Sequence, residues 1–318
     1  MTDASELSRF ELGRVLQDAA ITTIRNFPLF AGIAVLSALA ELAGAVAAVP
    51  SSHVGHIDSP IDAQWAFRHG LSFILWLVAV LASAFCSAAL CLAAFRLKKG
   101  ETCTVNHALR MAFPYTFRVI WVGVLQGLLA CWPLVFVMFF LFAVIAALPP
   151  MLGSVPSSNT MTISAIVLGV LLMLPLYARY VLAIPAAIQE DLAAFRAIDR
   201  SVSLGAGFRW KVLLGTVAFF SLYLPFGAAT WWIEHQPHTE LGMWGNTLAW
   251  RAIEGLPGFF ESLLVTPLLM VMSTFMYLRL VEIGNGIRDS ALLVGCEGTA
   301  GEDAADRADH LPAPSDEE

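Results

Sequence analysis

The sequence predicts an all-α polytopic membrane protein, with six transmembrane helices in three pairs and a cytoplasmic interfacial amphipathic helix before each pair. Three observations predict it. The 318 residues are 58% hydrophobic and only 14% charged, where soluble domains carry roughly 25% charged residues. Six apolar runs are each long enough to cross a hydrocarbon core of about 30 Å at 1.5 Å per helical residue. Of the 18 Lys and Arg, 16 fall in alternate segments between those runs, the asymmetry that the positive-inside rule turns into an orientation.

Residues 1–26 begin polar and then place Leu12, Val15, Leu16, Ala19, Ala20 and Thr23 at helical spacing beside Arg9, Arg14 and Arg25, which predicts an amphipathic helix at the membrane surface. The first span covers 27–49. Its Ala45-Val46-Ala47 end imitates a signal-peptidase site, but the apolar run is too long and its leader too acidic, so no cleavage is expected. A polar loop leads to the second span, 70–95. Arg96, Lys98, Lys99, Arg110 and Arg118 mark a basic segment in which Val105, Ala108, Leu109, Ala112 and Phe113 repeat the helical stripe. The third span, 119–148, is longer than a crossing needs, so tilt or a kink at Pro133 is expected. The fourth, 161–178, ends at Arg179. The stretch 179–211 is again basic and half-helical, and the fifth span, 212–233, follows it. A polar loop precedes the sixth span, 257–278, which closes a membrane domain covering 27–290.

Residues 291–318 are acidic and bear Pro and Ala, a composition that predicts disorder. The net charge of −7 belongs to this end, because Glu297 to Glu318 holds eight acids against Arg307. The remainder is balanced. No basic surface for nucleic acid is indicated. The amphipathic stripes start near Leu12, Thr104 and Asp191, about 90 residues apart, so the chain reads as three copies of surface helix, span, loop and span.

Glu41 and Glu261 are the acids inside apolar spans. An ionisable group in hydrocarbon is costly, which makes both candidates for a substrate or proton role. Helical rise puts Glu41 ~12 Å and Glu261 ~6 Å from the outer ends of their spans. His53, His56 and Asp58 are weak metal candidates, since no helix or strand fixes their spacing, and no metal or other cofactor is expected. Cys86, Cys91, Cys103, Cys131 and Cys296 form no CxxC pair, and the reading is of free thiols. Pro133, Pro175, Pro225 and Pro267 interrupt four consecutive spans, and Trp231, Trp232, Trp244 and Trp250 read as interface anchors. Catalytic signatures such as GxSxG, HExxH and the Walker A loop are missing from the sequence, so no enzymatic activity is expected.

Arg179, Pro185, Glu190, Ala197, Arg200-Ser201, Leu204, Gly207 and the aromatic-basic entry into the fifth span, with the opening phrase LGRVLQDAAITTIRNFPLF, resemble a known group. It is the membrane domain fused to some bacterial glycerophosphodiester phosphodiesterases and found alone in six-span bacterial membrane proteins. The likeness extends over most of 10–290. It implies an all-helical domain of the bacterial inner membrane without an established activity; the phosphodiesterase activity belongs to a separate soluble domain, so no catalytic residue carries over. The expected function is a non-catalytic membrane module, with both termini cytoplasmic, that organises lipid or a membrane-protein partner. Arg179, Glu190, Arg196, Arg200, Ser201, Arg209 and Lys211 are the candidates for headgroup or partner contact. The alternative is a transporter or permease of small molecules or lipids with a polar cavity near Glu41.

Overall fold

The computed structural model describes residues 10–47, 63–147, 169, 172–234 and 248–308. Among these the regular elements are all helical, and six helices are long and apolar enough to cross a membrane. The chain divides into two compact units, Leu12–Tyr277 and a second joining Met1–Glu11 to Leu278–Glu318. In the second, Arg279 pairs with Glu282 one turn on, at 3.1 Å.

The larger unit opens with α1 (Leu12–Arg25), which buries Val15, Ala19 and Thr23. That i, i+4, i+8 stripe is one face of the helix. The chain then turns at Asn26, whose side-chain amide donates to the Thr22 carbonyl at 2.9 Å, and α2 runs Phe27–Ala47. Pro28 explains the break, because a proline removes one helical hydrogen bond and crowds the carbonyl four residues back.

Helix α3 (Ala63–Lys98) packs along α2 as a hairpin. The Cys86 thiol donates to the Ile33 carbonyl at 3.2 Å, and buried Ala88, Ala89, Ala93 and Ala94 let neighbouring helices approach closely. Its end at Lys98-Lys99-Gly100 is a Schellman stop. Glu101 N–H bonds the Arg96 carbonyl, Gly100 N–H bonds that of Leu97, and Gly100 takes the left-handed φ of 80° that the motif requires. Helix α4 (Val105–Ala112) starts at Thr104, whose hydroxyl accepts from His107 N–H. A 3-10 turn over Phe113–Tyr115, with Pro114 in it, joins α4 to α5 (Thr116–Ala147). The helix continues through Pro133.

Most of the expected fourth span lies outside the described residues. The apolar window that is described, Leu172–Gln189, runs past Arg179, where the composition predicted an exit. Residues 172–180 are helical, a turn follows at 181–182, and α6 (Ala183–Gln189) buries Ala183, Pro185, Ala186, Ala187 and Ile188. Helix α7 (Ala194–Gly205) buries Ala197, Ile198 and Ser201. The fifth span is two helices, α8 (Arg209–Phe220) and α9 (Leu224–Glu234), separated by a 3-10 turn at Ser221–Tyr223. Pro225 would crowd the Ser221 carbonyl in a continuous helix, and the break falls there.

Helix α10 spans Leu248–Ala308 with Pro257 and Pro267 inside it. The sixth span was expected to start at Pro257 after a polar loop, but residues 248–256 are already helical. Packing supplies the reason. A side chain at Gly255 would meet Leu42 Cδ1 at 2.8 Å and Ala45 Cβ at 2.9 Å, and Arg251 donates to the Val46 carbonyl at 3.4 Å, so α2 holds this turn in place. The helix also continues through 291–308, where composition predicts disorder; Ala, Leu and Glu there favour helix. Residues 309–318 lie outside the described residues.

The core lies on α10. Every residue from Val271 to Tyr277 is buried, as in a helix surrounded on all sides. The other spans expose large apolar side chains, among them Phe73, Trp76, Leu128, Trp132 and Phe139. An outer surface of this kind suits hydrocarbon and not water.

Candidate functional site

The turn after α6 is where the polar chemistry of the larger unit converges. Glu190 caps α6, and one of its carboxylate oxygens accepts from Arg200 Nε at 2.8 Å and from the Tyr277 hydroxyl at 2.6 Å. Asp191 follows with φ of 52°, a left-handed conformation that Asp tolerates better than most residues. Arg118 on α5 donates to the Asp191 carboxylate and to the Ala187 carbonyl, so a cation sits on the open carbonyls at the C-terminus of α6. Gln126 donates to the Tyr180 carbonyl, and Ser201 on α7 donates to that of Arg179 at 2.8 Å. Elements α5, α6, α7 and α10 are thus tied at one turn.

The same end of this unit holds further ion pairs, between Lys98 and Asp18 at 3.5 Å and between Arg96 and Glu101 at 3.6 Å. Lys98 also lies 5.0 Å from the Phe275 ring centroid, and half-buried Cys103 sits nearby, its thiol pushed up chiefly by burial. This is the basic end of the bundle.

Beside the knot opens a cleft of about 330 Å³. Its walls are Pro175, Ala178, Val202, Val212 and Leu213, and its polar side chains are Arg179, Ser201, Arg209 and Trp210. Arg209 and Trp210 are the first residues of α8, which starts without a side-chain cap. Among the described residues neither Arg179 nor Arg209 has an anionic partner. Trp210 is 78% exposed.

The candidates for headgroup contact therefore separate. Arg179, Ser201 and Arg209 come together on the cleft, with the Ser201 hydroxyl committed to a backbone carbonyl. Glu190 and Arg200 pair with each other and with Tyr277, which makes them part of the framework. Arg196 and Lys211 are exposed on α7 and α8, with Lys211 5.9 Å from the Phe208 ring. The sequence reading missed Tyr277, Arg118 and Asp191. Their signal was weak, since Tyr277 resembles an interface aromatic and the other two an ordinary solvated charge.

The helices that carry the intramembrane acids meet. Counting from Pro257 puts Glu261 shallower than Glu41, but the helix begins nine residues earlier, and Ser262 donates to the Glu41 carboxylate. The two acids are within electrostatic reach of each other and of Tyr223. Ser262 is buried, while Glu41 and Glu261 are half-buried.

His53, His56 and Asp58 lie outside the described residues. Within the described residues no group of three His, Cys, Asp or Glu side chains is placed to hold a metal ion, and Cys86, Cys91 and Cys103 are free thiols. Comparison with protein-family models, curated proteins and solved structures finds no significant match to this chain.

Proposed function

We propose that this chain is a non-catalytic module of the bacterial inner membrane that engages anionic lipid at its basic, cytoplasmic end. The observation that carries the reading is the cleft in which Arg179 and Arg209 stand without an anionic partner among the described residues. Each exposed basic residue near an anionic leaflet gains about 1 kcal/mol, and exposed Trp210 is suited to the headgroup layer. The distribution of Lys and Arg supports cytoplasmic termini, and the helices α1, α4 and α7, each with one buried stripe, suit the surface of that leaflet. The resemblance to the membrane domain of the phosphodiesterase-associated type agrees with this reading.

A permease with a polar cavity near Glu41 draws less support, because Ser262 on α10 engages that carboxylate in a helix-to-helix contact. The test is thermal unfolding in phosphatidylethanolamine vesicles with and without phosphatidylglycerol. A ligand that binds the folded state raises its stability, so the anionic vesicles should raise the Tm. An unchanged Tm would reject the reading.

A further inference from the structure

Resting on the reading that the basic end engages anionic lipid, we propose that the cleft between residues 172–180, α7 and α8 is a binding site for a phosphomonoester dianion carried by a lipid. The lining supplies two guanidinium groups, from Arg179 and Arg209, and no carboxylate. Two cations match a headgroup of charge near −2 better than a phosphodiester of charge −1, and guanidinium suits phosphate oxygens through paired N–H donors. The uncapped first turn of α8 adds to this, because its residues Arg209 and Trp210 line the cleft and the positive end of a helix dipole favours an anion there.

The remaining walls separate a lipid from a free phosphate. Pro175, Val202, Val212 and Leu213 form an apolar side that a soluble ion leaves unused and that a glycerol backbone with the start of its acyl chains covers. Gly205, also in the lining, has open space where a Cβ would be. A larger side chain at that position adds bulk to the lining and leaves every charge in place.

The ligand's second ionisation gives the site a pH signature. A phosphomonoester loses its second proton near pH 6, whereas arginine stays protonated throughout the accessible range. The titratable groups lining the cleft are Arg179 from residues 172–180 and Arg209 from α8; α7 contributes Ser201, Val202 and Gly205, none of which titrates there. The preference for a phosphomonoester over a phosphodiester should therefore grow from pH 5 to pH 8, with the change on the ligand.

Native mass spectrometry of the full chain in mild detergent tests this, with phosphatidate, phosphatidylglycerol and phosphatidylethanolamine of identical acyl chains as titrants. Phosphatidate should bind about tenfold more tightly than phosphatidylglycerol at pH 8, as one additional charged hydrogen bond would give, and the ratio should shrink at pH 5. Arg179→Gln with Arg209→Gln, and separately Gly205→Leu, should abolish the preference, while Arg110→Gln, at an exposed position of α4, should retain it. Equal binding of both anionic lipids would overturn the phosphomonoester assignment and leave the general anionic-lipid reading standing; no preference for either over phosphatidylethanolamine would overturn both. Displacement of phosphatidate by an equal concentration of inorganic phosphate would make the ligand a soluble anion and overturn the lipid assignment. The comparison between lipids and its pH dependence use the unaltered protein, so they decide the matter even if a variant fails to fold.

Discussion

Glu190 accepts two donors on one oxygen, and this single carboxylate joins α6 to α7 and to the buried centre of α10. Removing one partner leaves the carboxylate with Arg200 alone. Tyr277→Phe should lower stability by about 1.5–3 kcal/mol, the usual scale for a hydrogen bond to a charged group, and a thermal melt in detergent would measure it; an unchanged Tm would mean the bond contributes nothing. Glu41 and Ser262 allow a similar experiment inside the membrane. Glu41→Gln keeps an acceptor for the Ser262 hydroxyl and removes an ionisable group from hydrocarbon, so it should be tolerated, whereas Ser262→Ala leaves the acid without its donor and should cost about 1–3 kcal/mol. The reverse order of the two melts would show that the acid matters for its charge. At this scale little was legible beforehand. Glu41 and Glu261 stood out because acids are rare in apolar runs, but Ser262 and Tyr277 carry no signature until the fold places them opposite a carboxylate.

At the level of elements, helices pass or break at proline according to their surroundings. Pro114 lies in a 3-10 segment, and Pro28 and Pro225 are each the second residue of a helix that follows a turn or a 3-10 segment, while Pro257 and Pro267 sit inside α10. The sequence marks each proline equally, so the expected start of the sixth span at Pro257 came from local chemistry alone. What overrides it is the contact of α10 with α2 at Gly255, invisible without the partner helix. Gly255→Ala puts a methyl group at 2.9 Å from Ala45 Cβ, a neighbour with no rotamer to yield. Overpacking of this kind costs about 1–3 kcal/mol and outweighs the roughly 1 kcal/mol that alanine gains over glycine in a helix. Gly258→Ala, with open space at its Cβ, should be neutral or stabilising. Unfolding of the two variants side by side checks the argument, and equal stability would contradict the close crossing. The residues buried on α1, α4 and α7 recur every three or four positions, the spacing of one helical face.

For the whole molecule, the class of fold was plain from composition and the six apolar runs, because a bilayer demands long apolar helices whatever the protein does. The cleft was not. Arg179, Ser201 and Arg209 were recognised as members of one basic stretch, but which arginine is spent on the framework depends on the partners that α6 and α10 present. Arg200 and Arg118 are paired there, and Arg179 and Arg209 are left facing the opening. The role of that division is measured by the ratio of anionic to zwitterionic lipid retained by the purified protein, determined for the unaltered chain and for Arg179→Gln with Arg209→Gln. The unaltered chain should show anionic enrichment over the bulk membrane and the double variant a marked fall; identical ratios in the two would contradict lipid binding at the cleft.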